Sequence, residues 1–166
     1  MDMMKWDIKL FNFINDHMKH PLLDKIMPHF TRLGGTMATF CFLAVFSFLS
    51  IFPLKKTLMA LAITHVIVQF LKEYVSRIRP YEALPHVNFD PNFALSDYSF
   101  PSGHSATIFC MATMAASGVP WLSPIFFAIA TLVAFSRIYL GVHFPSDVFC
   151  GSLIGWLSAG AVLHFF

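Results

Sequence analysis

Residues 101–147 read PSGHSATIFCMATMAASGVPWLSPIFFAIATLVAFSRIYLGVHFPSD. Between Ser105 and Ser136 no residue is charged, and a helix needs only about 20 apolar residues to cross a bilayer. The run is too long for one crossing. Gly118, Pro120, Ser123 and Pro124 interrupt it, and Gly with Pro marks a turn. The stretch therefore reads as a hairpin of two membrane helices. Its two polar ends, one with His104 and the other with Arg137, His143 and Asp147, return to the same face.

The rest of the chain agrees with a membrane setting. Of 166 residues, 57% are hydrophobic and 12% are charged, against about 25% charged in a soluble domain. Mean hydropathy is +0.66. This composition excludes disorder, a nucleic-acid-binding tail and most soluble enzymes. Eleven Lys/Arg nearly cancel nine Asp/Glu, so no surface for a polyanion is expected and nucleic acid is not a partner. The charges are bunched, with nine in residues 1–32 and seven in residues 72–97. The stretches between them predict five spans, roughly 37–54, 57–75, 103–118, 122–140 and 147–165, in an all-α polytopic membrane helical bundle. Ahead of them Trp6, Leu10, Phe13, Ile14 and Met18 recur near helical spacing, with Asp7, Lys9, Asn12, Asn15, Asp16 and Lys19 on the other side. That pattern predicts an amphipathic helix in the membrane interface. Residues 21–35, with Pro21, Pro28, Gly34 and Gly35, read as a connector. The acids Asp2, Asp7 and Asp16 and the lack of a long apolar core argue against a cleaved signal peptide. We expect a single domain over 1–166, with an interfacial segment at 1–35 and the bundle at 37–166. Cys41, Cys110 and Cys150 all fall inside predicted spans and read as packing residues.

An ionisable residue at membrane depth is expensive and marks function. Three groups qualify: Lys72 with Arg77, Arg79 and Pro80; Pro101, Ser102, Gly103 and His104; and Ser136, Arg137, His143 and Asp147. In a five-span up-and-down bundle all three emerge on one face. Lys72, Arg79 and Arg137 bring positive charge, and the arginine fork suits phosphate oxygens. Ser102 and Gly103 start a helix, where unpaired N–H groups and the dipole favour an anion. His143 and Asp147 lie one helical turn apart. A carboxylate on one imidazole nitrogen leaves the other as a nucleophile or base, while His104 can protonate a leaving oxygen. This is a phosphate cradle with the parts for phosphoryl transfer through a phosphohistidine. It needs no cofactor, and no acidic metal-ligand cluster is visible.

Lys72-x6-Arg79-Pro80, Pro101-Ser102-Gly103-His104 and Ser136-Arg137-x5-His143-x3-Asp147 resemble the three-part signature of the phosphatidic acid phosphatase type 2 superfamily. That superfamily holds membrane lipid phosphatases and, more distantly, vanadium haloperoxidases. The resemblance implies His143 as nucleophile, Asp147 as its orienting partner and His104 as general acid, with Lys72, Arg79, Ser102, Gly103 and Arg137 binding the phosphoryl group. It implies a metal-independent lipid phosphatase in a bacterial cytoplasmic membrane, with the site on the extracytoplasmic face. The short bacterial members are the most similar. Their substrates give undecaprenyl pyrophosphate as the first expectation and phosphatidylglycerol phosphate or lipid A phosphates as alternatives. A lipid-to-lipid phosphotransferase and a non-catalytic lipid-phosphate binder are the competing classes; the intact histidines argue against the binder. Expected partners are the lipid substrate and membrane lipids; no feature of the sequence sets an oligomeric state.

Charge counting points the other way on topology. Nine of the eleven Lys/Arg fall on the motif face and only Lys55 and Lys56 on the opposite one, which by the positive-inside rule puts the motifs in the cytoplasm. Arg77, outside the signature, reads as a snorkelling side chain. His65, in mid-span, reads as a packing residue rather than a proton relay. The loop from Tyr81 to Phe100 mixes aromatic and polar groups and is long enough for a lid or binding element. It is expected to help select the headgroup.

Overall fold

The computed structural model describes residues 5–49 and 53–166. Among these the chain is helical and has no strand. Helix α1 (Lys5–Asn12) runs into a wider π-type turn over Phe13–His17. Then come α2 (Pro21–Leu33), α3 (Thr36–Phe48), α4 (Leu54–Val75), the short α5 (Pro80–Ala83), α6 (Gly103–Gly118), α7 (Ser123–Tyr139) and α8 (Pro145–Phe165). Helix α6 is the axis. It packs against α4, α7 and α8, and its Cys110 and Met114 are buried with Ala60, Ala159 and Val162. The cysteine is thus a core packing residue.

The α6–α8 crossing is set by missing side chains. A Cβ on Gly151 would lie 2.4 Å from the Ser102 carbonyl oxygen, and one on Gly155 2.0 Å from that of Ala106. With Ala159 these form a small-residue stripe at every fourth position. In lipid such a stripe lets two backbones touch, where dispersion rather than water expulsion drives packing.

The outer surface is apolar. Phe48 is 88% exposed, Phe70 67% and Phe149 69%, which fits lipid contact and not water. Among the described residues three helical segments are long and apolar enough to cross a membrane: Leu54–Ala83, Pro120–Tyr139 and Pro145–Phe165. The α2–α3 pair, bent by 61°, makes a fourth if taken as one broken span. The five expected span helices are all present, yet α3 has 13 residues and α6 has 16. At 1.5 Å per residue both fall short of a hydrocarbon core of about 30 Å. The last residues of the expected 37–54 span, 50–52, lie outside the described residues.

Two expectations for the N-terminal region are corrected. The presumed connector at 21–35 is mostly helix α2. Pro21 sits at its first position, where a missing N–H costs nothing, and the His20 Nδ1 accepts from Leu22 N at 3.2 Å. The break is at Gly34 and Gly35. In α1, Trp6, Leu10 and Phe13 are exposed as a membrane-facing stripe, but Asp7 and Asn15 are buried at 1% exposure each. Two residues of the expected polar side therefore turn into the protein while Lys9 and Asp16 stay exposed, and Asn15 donates to the Tyr139 and Asn88 carbonyls, both at 3.0 Å.

Candidate active site

The cations come from helix ends. Lys72 is in the last turn of α4, which Ser76 terminates in the left-handed conformation (φ 48°), its N–H bonded to the Lys72 carbonyl at 2.9 Å. The chain then runs extended to Pro80, so that Arg77 and Arg79 turn back into the bundle. Arg137 is in the last turn of α7. Gly141, at φ +76°, reverses the chain there, and a Cβ would meet Val87 at 2.7 Å. Val142 and His143 N–H groups fold back onto the Arg137 carbonyl at 3.1 and 3.2 Å. This fixes His143 beside Arg137. Asp147 sits three residues into α8 and accepts from the Phe144 N–H at 2.8 Å, closing the first turn. Ser102 caps α6 and takes its own N–H to the Asp147 carbonyl at 2.9 Å. The second and third motifs are therefore joined by backbone as well as by the glycine crossing.

Lys72, Arg79, Ser102, Arg137, His143 and Asp147 are each at most 4% exposed. Lys72, Arg79, Gly103, His104 and His143 line one cavity of about 580 Å³. Arg137 and His104 line a second, of about 470 Å³, with Thr31 and Asn92. His104 thus lines both cavities. The eight residues expected from sequence are brought together.

Two cations face a loop acid. Asp97 reaches Lys72 Nζ at 2.9 Å and the Arg79 guanidinium, which also donates to the Asp97 carbonyl at 2.8 Å. Burial alone would raise the Asp97 carboxyl, but Lys72 and Arg79 outweigh it and hold it below the usual carboxylate range. Arg137 differs. Its Nη1 donates to Thr31 Oγ1, while Nε and Nη2 are buried with no partner among the described residues. Guanidinium donors of this kind suit the oxygens of an anion.

The two ring nitrogens of His143 face different ways. Nε2 is 3.2 Å from Arg79 Nη1, at the cavity. Nδ1 is 3.6 Å from Asp147 Oδ2 and 3.5 Å from Ser99 Oγ. Ser99 Oγ in turn donates to Asp147 Oδ2 at 2.5 Å. The His143–Asp147 contact is thus longer than a hydrogen bond, with Ser99 beside it. Burial pushes the His143 imidazole down to about 3, with Arg137 and Arg79 adding to the effect against the upward pull of Asp147. Burial thus favours the neutral ring, whose Nε2 lone pair points to Arg79 Nη1.

Two side chains depart from the sequence reading. Arg77 does not snorkel. It turns inward, with its side chain 9% exposed, and is ion-paired to Asp7 at 2.6 Å and Asp147 at 2.5 Å. His65 is not a packing residue but an exposed one on the cavity wall, with Gln69 one turn nearer Lys72. Thr31, Asp97 and Ser99 were not singled out by any motif. The loop from Tyr81 to Phe100 is pinned: Tyr81 Oη donates to the Leu95 carbonyl at 2.9 Å, and Asn88 is bonded to Asn15.

The model of the PAP2 superfamily matches residues 53–166, and the chain belongs to that superfamily. The crystal structure of Aquifex aeolicus LpxE is similar over nearly the whole fold, with a TM-score of 0.89 and 35% identity over 99% of this chain and 98% of that one. Phosphatidylglycerophosphatase B of Bacillus subtilis is 31% identical over 84% of this chain and 73% of its own length. Undecaprenyl-diphosphatase of Sulfolobus acidocaldarius is 31% identical over 92% of this chain and 75% of its own.

Proposed function

From membership of the PAP2 superfamily and the cations gathered around His143, we propose that this protein removes the terminal phosphate of a membrane lipid. The observation that carries the reading is His143: buried, neutral, its Nε2 turned to the cavity beside Arg79. In the first step the Nε2 lone pair attacks phosphorus. The bond from phosphorus to the lipid oxygen breaks, and that oxygen keeps the electron pair and takes a proton from His104. Lys72, Arg79, Arg137 and the free N–H groups at the start of α6 hold the phosphoryl oxygens, Lys72 and Arg79 exchanging Asp97 for phosphate. In the second step His104 takes a proton from water, the water oxygen bonds to phosphorus, and the P–N bond returns its pair to Nε2. Inorganic phosphate leaves. The chain's own cations supply the electrostatics, so turnover survives a chelator.

The cavity supports a lipid substrate. From the cradle it passes Thr36, Thr39, His65 and Gln69 and reaches Phe40, Leu43, Leu58 and Leu61. His65 is about 10 Å below Lys72 along α4. A diphosphate would lay its inner phosphate along Gln69 and His65 before its chain meets the leucines. Undecaprenyl pyrophosphate is accordingly the first substrate to test, and phosphatidylglycerol phosphate and lipid A phosphates complete the panel. Leu95 and Asp97 also line the cavity, which supports a headgroup-selecting role for their loop. We place the protein in the cytoplasmic membrane with the cradle on the extracytoplasmic face.

The test is phosphate release from this panel by the purified protein in detergent. Release from at least one lipid, and its loss in His143→Ala with the protein still folded, is expected. Full turnover in His143→Ala, or loss of turnover with EDTA and rescue by a divalent ion, overturns the mechanism.

A further inference from the structure

We propose that Asp7 and Arg77 are a positioning pair for Asp147, so that the N-terminal helix α1 forms part of the catalytic apparatus; this rests on the function proposed above. Asp147 has two oxygens and both are occupied. Oδ2 takes Ser99 Oγ and the Phe144 N–H; Oδ1 takes Arg77 Nη1 at 2.5 Å. Arg77 therefore fixes the oxygen that Ser99 and Phe144 leave free, and with them holds the carboxylate toward His143.

Arg77 is itself held on three sides. Its Nη2 donates to Asp7 Oδ2 at 2.6 Å, its Nη1 to Ser146 Oγ at 2.7 Å, and its guanidinium lies 4.1 Å from the Phe144 ring centroid. Asp7 is also fixed. It accepts from Ser146 N–H at 2.9 Å and Ser146 Oγ at 2.6 Å. It thereby caps α8 from another helix, where the dipole favours an anion. Phe11, one turn along α1, packs on Phe144 at 5.5 Å between centroids. An ion pair that only tethered α1 to the bundle would not need to share its arginine with Asp147.

Charge gives the second reason. Asp7, Arg77 and Asp147 together carry one negative charge, buried at 1%, 9% and 0% exposure. The imidazole of His143 gains positive charge as Nε2 bonds to phosphorus. The cluster is balanced in that state and not before it, so its effect falls on kcat. Without Arg77 two buried carboxylates face each other near Ser146. Without Asp7 the arginine has one acid left and is otherwise held only by Ser146 and the Phe144 ring.

The experiment uses the full chain, the panel lipid that the wild type hydrolyses fastest, and steady-state and single-turnover phosphate release. Partners that orient a functional group are worth about 10–100-fold. Asp7→Asn, which still accepts from the Ser146 N–H, is expected to lower kcat about tenfold with KM unchanged, and Arg77→Gln about 100-fold. Arg77→Lys is expected to recover about tenfold of that loss. The double variant Asp7→Asn/Arg77→Gln should be no slower than Arg77→Gln alone, because Asp7 acts through Arg77. Lys9→Gln, on the exposed side of α1, should match the wild type. If Arg77→Gln does not fold, Asp7→Asn and Arg77→Lys carry the test. The pairing is overturned if both folded variants keep wild-type kcat, or if KM rises while kcat holds. A wild type that hydrolyses no lipid of the panel overturns the function instead.

Discussion

Helices α6 and α8 meet backbone to backbone, whereas α3 and α4 stand apart across a cavity of about 580 Å³. The first contact is built from glycine and alanine, the second from leucine, phenylalanine, threonine and one histidine. The contrast separates two jobs. The tight crossing holds Ser102 against Asp147 to within a hydrogen bond, and phosphoryl transfer loses rate when such groups are displaced by even an ångström. The open gap tolerates variation in its occupant, because apolar contact is not directional.

The sharpest way to break this contrast is to fill the crossing. Gly155→Leu places atoms inside the Ala106 carbonyl, and overpacking of this kind costs about 3 kcal/mol or more. Loss of the monodisperse peak in size-exclusion chromatography, with no phosphate release, is expected; a folded, active variant would show that α6 and α8 can separate. Filling the gap should act differently. Leu61→Trp is expected to raise KM about tenfold with kcat unchanged, measured on the same lipid. A fall in kcat alone would mean that the gap also shapes the cradle.

Acid should strain the cradle and spare the gap. The His143 imidazole, at about 3 in the fold against 6.5 unperturbed, binds a proton more readily in the unfolded chain. The stability it contributes is full above pH 6.5 and is lost as pH falls toward 3, at about 1.4 kcal/mol per pH unit. Thermal unfolding in detergent should show stability falling with pH over that range, and His143→Gln should lessen the fall. The smallest effect belongs to the rim between the two regions. Ser76 holds a left-handed conformation that a Cβ disfavours, so Ser76→Gly should stabilise by roughly half a kcal/mol, once the larger entropy cost of glycine is counted. The corresponding rise in melting temperature checks it.

The helices of the bundle were legible because charge is scarce. Every long gap between charges became a helix, and the three motif clusters fell at helix ends, as the hairpin over 103–139 required. The reading failed where the partner is distant in sequence. Asp7 looked like a solvated residue because its neighbours on α1 are charged, yet its partners Arg77 and Ser146 lie far along the chain. An inward-facing acid on an amphipathic helix leaves no local trace. Arg77 lacked a motif, but two arginines two residues apart at a span end are more than snorkelling needs. Pro28 and the Gly34–Gly35 pair suggested a break throughout 21–35, when only the glycines bend the chain. Gly151 and Gly155 carried a readable small-residue spacing that the search for chemistry passed over.

The direction of the cavity has a kinetic side. It leads from His143 past Gln69 and His65 to Phe40, which is 64% exposed on the outer surface. A lipid entering there slides in sideways and never crosses water, so its search is two-dimensional. The concentration that governs turnover is then the mole fraction of substrate in the bilayer. Diluting that bilayer with inert lipid should slow the protein even when the amount of substrate in the tube is held constant.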